Sequence, residues 1–193
     1  AESFDVQVVS LSRNFGKEAA LLAGLDHARN EAALFMDGDG QHPPECIPAL
    51  CERAAESGPA LVVGDRMAQA DRMPWLRRAV NRWMSRQLSR RAGCSLPDTQ
   101  CGFRLLRLEA WRRLRIGSDH FEVESETLLA FLAAGHRVEF VPIPVVPSPR
   151  ASRIRVVPDT IRWLRWWWAS TSRPADLPVS RPAPLRRDAC LPA

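Results

Sequence analysis

No apolar run in this 193-residue chain approaches the 18 or more residues of a membrane-spanning helix, and the N-terminus lacks a secretory-signal pattern. A soluble or peripheral protein is expected. Cys46, Cys51, Cys94, Cys101 and Cys190 are odd in number and contain no C-x-x-C pair, so the usual zinc and redox spacings are excluded. They read as reduced thiols of a cytosolic protein or as buried filler. Tyrosine is absent and lysine occurs once, at Lys17, so the net charge of +5 rests on arginine. That charge points to an anionic partner: phosphate, diphosphate or acidic lipid. Nucleic acid is not expected, because zinc-finger, helix-turn-helix and aromatic RNA-binding patterns are all missing.

What is present centres on Phe35-Met36-Asp37-Gly38-Asp39-Gly40-Gln41-His42-Pro43-Pro44-Glu45. The apolar residues Ala32 to Met36 predict a buried strand that ends in an acidic loop. Asp37 and Asp39, two residues apart, can reach one cation, and oxygen ligands favour Mg²⁺ or Mn²⁺ over zinc. A plain Asp-Gly turn explains the same four residues. A calcium EF-hand loop does not, since His42 and Pro48 stand where it needs Gly and Glu.

Around this loop the pattern alternates strand and helix. Strands are predicted at Asp5–Ser10, Ala32–Met36 and Ala60–Val63, with helices at Lys17–Arg29 and Pro44–Glu56, which argues for an α/β domain with a parallel sheet. In such sheets ligands gather beyond the carboxyl ends of the strands, where Asp37, Asp39, Asp65 and Arg66 fall. Trp75–Ala92 reads as an amphipathic helix with a cationic outer face. A short strand at Phe103–Leu106, helices near Glu109–Leu114 and Glu124–Ala134, and a proline-broken strand within Arg137–Val146 follow. The last helix, about Pro158–Ser170, carries Trp163, Trp166, Trp167 and Trp168 among Arg162 and Arg165. That mixture suits a bilayer interface as well as it suits a core packed with Trp-Arg pairs. Residues 172–193 have no period and are expected to be disordered.

Asp37 to Glu45 resembles the D-x-D-x-Q-x-P-P-E segment of family 2 glycosyltransferases, particularly polyprenyl-phosphate sugar transferases related to dolichol-phosphate mannose synthase. Five further segments agree in order: Leu11 to Glu18, Gly64-Asp65-Arg66, Asp98 to Arg104, Phe121 to Glu124, and Ser152-Arg153-Ile154. The resemblance implies a GT-A-like domain over residues 1–157, a mostly parallel sheet flanked by helices, followed by the Trp/Arg helix at 158–171 and the tail at 172–193. It implies an inverting transfer of a sugar from a nucleotide-sugar donor to a polyprenyl phosphate at the cytoplasmic membrane face.

By the same resemblance, Asp39 and Gln41 hold the Mg²⁺ or Mn²⁺ ion. Asp37, Arg66 and Arg153 bind the donor, and Asp98 is the catalytic base or orienting carboxylate. Gln100, Arg104 and Glu124 form an acceptor or secondary site. Two segments of the family, of the forms V-I-P-x-Y-N-E and V-D-D-G-S, have no counterpart, so the first nucleotide-binding strands are expected to be missing from a shortened family member. A remnant that binds a membrane or partner without catalysis is the rival expectation.

Overall fold

The computed structural model describes residues 5–114, 116, 123–147 and 156–171. Their order is α1 (Lys17–His27), β1 (Ala32–Phe35), α2 (Ile47–Ser57), β2 (Leu61–Asp65), α3 (Trp75–Ala92), β3 (Arg104–Arg107), α4 (Leu108–Arg113), α5 (Val123–Ala133), β4 (Val138–Pro142) and α6 (Val156–Thr171). Short 3₁₀ turns at Pro44–Cys46 and Met67–Arg72 lead into α2 and α3. Proline near the start of α2 suits a first turn whose N–H groups have no helical partner. Gly93, at φ +68°, ends α3 in the left-handed conformation that costs glycine least.

The four strands lie in the order β1-β3-β2-β4. β3 runs antiparallel to both β1 and β2, while β2 and β4 pair in parallel. Three strands therefore share one direction, but the pairing is mixed and not mostly parallel, because β3 inserts reversed between β1 and β2. β2 is covered on both faces: Leu61, Val62 and Val63 are all buried, as a central strand between helices requires. They pack with Leu50 of α2, Phe103 and Leu106 around β3, and Leu128 and Phe131 of α5.

The expected strand at Asp5–Ser10 does not form. Its residues carry no ladder, and Val6 and Val8 are 78% and 75% exposed. A strand needs a neighbour to hydrogen-bond, and β1 pairs only with β3 among the described residues. A cleft of about 570 Å³ instead separates Asp5 and Gln7 from α1 and β1.

α6 packs as well as exposing aromatics. Trp163 is fully buried against Met84 and Leu88 of α3 and Leu96, and its ring meets Trp83 edge-on at 5.5 Å and Trp167 face-on at 5.3 Å. Trp168 lies on the opposite side, 71% exposed. The tail at 172–193 and Arg153 lie outside the described residues.

Candidate active site

β1 delivers Asp37 one residue beyond Met36, and the loop returns at His42, which is buried. The backbone N–H of Asp37 donates to His42 Nδ1 at 2.9 Å, and the imidazole stacks on Phe103 at 5.1 Å. Burial pushes the His42 pKa below its usual value despite the nearby Asp37 carboxylate. The neutral ring thereby keeps Nδ1 as an acceptor and pins the start of the acidic loop.

Lys17, from the first turn of α1, places Nζ 2.8 and 2.9 Å from the two oxygens of Asp37 and 3.8 Å from Glu124 Oε1. Burial pulls its pKa down, but the bond to Asp37 and the charges of Glu124 and Asp37 outweigh that and hold it above the ordinary lysine value. Gly102 forms the floor. A Cβ there would lie 3.2 Å from Lys17 Nζ, 3.4 Å from Asp37 Oδ2 and 3.6 Å from His42 Cε1, so the backbone approaches this cluster as only glycine permits freely.

Asp39 is exposed, and its Oδ1 accepts the Gln41 backbone N–H at 2.9 Å in a local turn. Among the described residues no group of three or more His, Cys, Asp or Glu side chains is gathered as a metal cage. The donor set nevertheless fits a hard cation of the kind that takes one or two carboxylates from protein and completes its shell with water and substrate phosphate. A positive charge already sits across both oxygens of Asp37, in the form of the Lys17 ammonium.

At the end of β2, Arg66 and Asp98 form a two-pronged pair: Nε to Oδ2 at 2.7 Å and Nη2 to Oδ1 at 2.9 Å. The backbone N–H groups of Arg66 and Gln100 also donate to Asp98, at 3.1 and 3.2 Å. Asp98 is fully buried with both oxygens engaged, the setting of a carboxylate that orients its neighbours. Burial opposes the Arg66 charge, but Asp98 overrides it and raises the Arg66 pKa. Arg66 Nη1 makes no hydrogen bond among the described residues.

Arg77, from the first turn of α3, completes the basic side. Burial lowers its pKa, and Arg66 lowers it further, while Asp98 and Asp39 act the other way. It forms no ion pair among the described residues. The sequence reading passed over it, since nothing in the pattern separates it from the other arginines of α3. Lys17 and His42 were visible only as motif members, although a single lysine in the whole chain was a usable signal.

Arg104 is a structural tie. Buried, it donates to the carbonyls of Cys101 at 2.7 Å, Thr99 at 3.0 Å and Glu124 at 2.7 Å, fastening the 98–102 loop to the start of α5. Gln100 Nε2 donates to Thr99 Oγ1 at 3.2 Å and Ser125 Oγ at 3.1 Å. Asp37, Asp39, Gln41, Arg66, Asp98 and Gln100 thus lie in the loops beyond β1 and β2 and before β3, with Glu124 reaching them from the first turn of α5, and Arg153 lies outside the described residues.

The model of the glycosyl transferase family 2 matches residues 1–115, more than half of the chain. The chain belongs to that family. An undecaprenyl-phosphate 4-deoxy-4-formamido-L-arabinose transferase from Pseudomonas aeruginosa is 34% identical over 146 residues, 76% of this chain and 41% of that protein. The enzyme of the same name from Klebsiella pneumoniae is 32% identical over 150 residues, 78% of this chain and 43% of its own. This family 2 chain therefore spans about two fifths of the length of these curated relatives. Among solved structures, glucosyl-3-phosphoglycerate synthase from Mycobacterium tuberculosis, in complex with Mn²⁺, UDP and phosphoglyceric acid, superposes with a TM-score of 0.60 at 22% identity. The match covers 84% of this chain and 55% of that one, and supports the GT-A-like α/β fold.

Proposed function

We propose that this family 2 domain transfers a sugar from a nucleotide-sugar donor to a polyprenyl phosphate with inversion, on the cytoplasmic face of a membrane. The observation that carries the reading is the Arg66–Asp98 pair beside the acidic loop: an arginine held rigidly by a saturated carboxylate, with Nη1 left over for an anion. The relatives named as undecaprenyl-phosphate transferases support a lipid phosphate as acceptor.

The chemistry asked of each residue is limited. A lipid phosphate is already ionised at neutral pH, so no carboxylate has to remove a proton from it, and Asp98 serves as an orienter. Arg66 and Arg77 neutralise and align phosphate oxygens, for which the guanidinium fork is suited. Asp39 and Gln41 would hold Mg²⁺ or Mn²⁺, which supplies charge neutralisation for the leaving diphosphate, while Asp37, held by Lys17, would face the donor. One acceptor oxygen forms a bond to the anomeric carbon as the bond to the nucleoside diphosphate breaks on the opposite face, which inverts that centre. Trp75 and Trp168, exposed among arginines on α3 and α6, suit the interface of an anionic bilayer.

Calorimetric titration of UDP and GDP, with and without Mn²⁺, into this chain and into Asp39→Ala tests the donor site. Metal-dependent binding that disappears in the variant is expected. A folded chain that binds neither nucleotide overturns the reading and favours a non-catalytic module that binds a membrane or partner.

A further inference from the structure

α6 presents two different faces. Ile161, Arg165 and Trp168 recur at the four- and three-residue spacing of one helical stripe, and all three face outward, with Ile161 47% and Trp168 71% exposed. Trp163, between Ile161 and Arg165 in sequence, points the other way and is fully buried with Met84 and Leu88 of α3 and with Leu96. A surface that presses on the outer stripe therefore bears on the seat of Trp163.

The contacts of that buried ring lead to the active site. Its indole N–H donates to Ser125 Oγ at 3.1 Å, and Gln100 Nε2 donates to the same oxygen at 3.1 Å. A serine oxygen accepts through two lone pairs, so these two donors fill it. Gln100 Nε2 also donates to Thr99 Oγ1 at 3.2 Å, while Gln100 Oε1 is buried without a hydrogen-bond partner. Two hydroxyls hold the amide, and nothing holds its carbonyl side. The Gln100 backbone N–H in turn donates to Asp98 Oδ1 at 3.2 Å, the oxygen that also accepts from Arg66 Nη2 at 2.9 Å. Trp163, Ser125, Gln100, Asp98 and Arg66 thus form an unbroken run of hydrogen bonds from the outer helix to the proposed anion site.

Building on the membrane reading above, we propose that Ser125 is a positioning residue through which the bilayer acts on the active site: seating α6 on an anionic surface fixes Trp163 on Ser125, which holds Gln100 and the Asp98 loop in the geometry that sets Arg66 for the donor diphosphate. The indole N–H reaches Ser125 only while α6 lies against α3, and the bilayer bears on the opposite face of the same helix. Surface helices open locally more readily than a core does, and each opening releases Trp163 from Ser125. At the bilayer α6 is held from both sides, so those openings are suppressed. The coupling is reciprocal: whatever factor the bilayer adds to nucleotide affinity, the nucleotide adds to bilayer affinity.

The test titrates UDP and GDP, with Mn²⁺, into the chain without and with vesicles of phosphatidylcholine and phosphatidylglycerol. The unaltered chain should bind at least one nucleotide about fivefold tighter or more on vesicles, and that nucleotide should raise vesicle affinity by a matching factor. Ser125→Ala and Trp163→Phe should each bring the ratio close to one. Equal affinity with and without vesicles, in a chain that co-sediments with them, overturns the proposal, as does a ratio that persists in both variants. Hydrogen exchange of the 98–102 segment in the unaltered chain needs neither a variant nor a nucleotide. It should slow on vesicles, and unchanged exchange in a co-sedimenting chain overturns the coupling while leaving the membrane reading intact. A chain that does not co-sediment overturns the membrane reading and this proposal with it, and failure of both nucleotides to bind does the same through the donor reading.

Discussion

Trp163 and Gln100 end on the same oxygen. The indole N–H of Trp163 and the amide of Gln100 each donate to Ser125 Oγ at 3.1 Å, so α6 and the loop carrying Asp98 are joined through one buried hydroxyl. Thr99 extends the network to α3, where its backbone N–H donates to Ser85 Oγ at 3.1 Å. Ser125→Ala should leave both donors unpaired and lower stability by about 1–3 kcal/mol. Urea denaturation followed by tryptophan fluorescence measures this, and a loss below a few tenths of a kcal/mol would show the hydroxyl to be dispensable.

Removing Asp98 strands the Arg66 charge in a largely buried setting. Asp98→Ala is expected to destabilise the domain by about 3–5 kcal/mol, the range for breaking a buried pair on one side. Replacing both members, as Arg66→Met with Asp98→Leu, should recover part of that loss while abolishing anion binding. Thermal unfolding of the single and double variants separates the two contributions.

His42 sets an acid limit. Its folded-state pKa lies below the unfolded value near 6.5, so the unfolded chain takes up the proton first as pH falls. Stability attributable to His42 is therefore complete above about pH 6.5, declines below it, and stops declining once the folded imidazole also protonates. Denaturation midpoints between pH 7.5 and 5 should fall less steeply in His42→Gln than in the unaltered chain.

Gly102→Ala should affect the site more than the fold. The added methyl meets the tip of a flexible lysine, which can swing aside, so a stability change under about 1 kcal/mol is expected. Lys17 would then no longer sit squarely on Asp37, and Mn²⁺-dependent nucleotide affinity should change by several-fold. Calorimetry reads the second effect and thermal unfolding the first.

Trp168→Ser should weaken binding to vesicles containing anionic phospholipid and lower thermal stability by no more than a surface substitution usually does, because the ring is 71% exposed. Vesicle co-sedimentation decides. Unchanged sedimentation would remove α6 from the proposed membrane surface.

Much of this was legible in the residues. The acidic loop ended a strand as its apolar-to-acidic switch predicted, and α3 runs over Trp75–Ala92 as its apolar stripe and the following Gly93 required. Trp163, Trp166 and Trp167 recur at helical spacing, so one buried face was readable in principle. Strand order was not. Arg104–Arg107 reads only as a four-residue strand with two apolar residues between arginines, and nothing local says that it enters reversed between two earlier strands. Asp5–Ser10 failed for a related reason: strand propensity is a surface property that a pairing partner has to complete. Arg77 stayed hidden because position relative to Arg66, not residue type, distinguishes it.

The reversed placement of β3 also governs when the site can exist. Among the described residues, β1 and β2, which carry the acidic loop and Arg66, make no ladder with each other and are bridged only by β3, about 40 residues later in the chain than β2. Among the described residues, positions up to 92 therefore hold both halves of the site with no ladder between them. Assembly waits for the segment that also brings Asp98, so the carboxylate that fixes Arg66 and the strand that aligns the two halves arrive together.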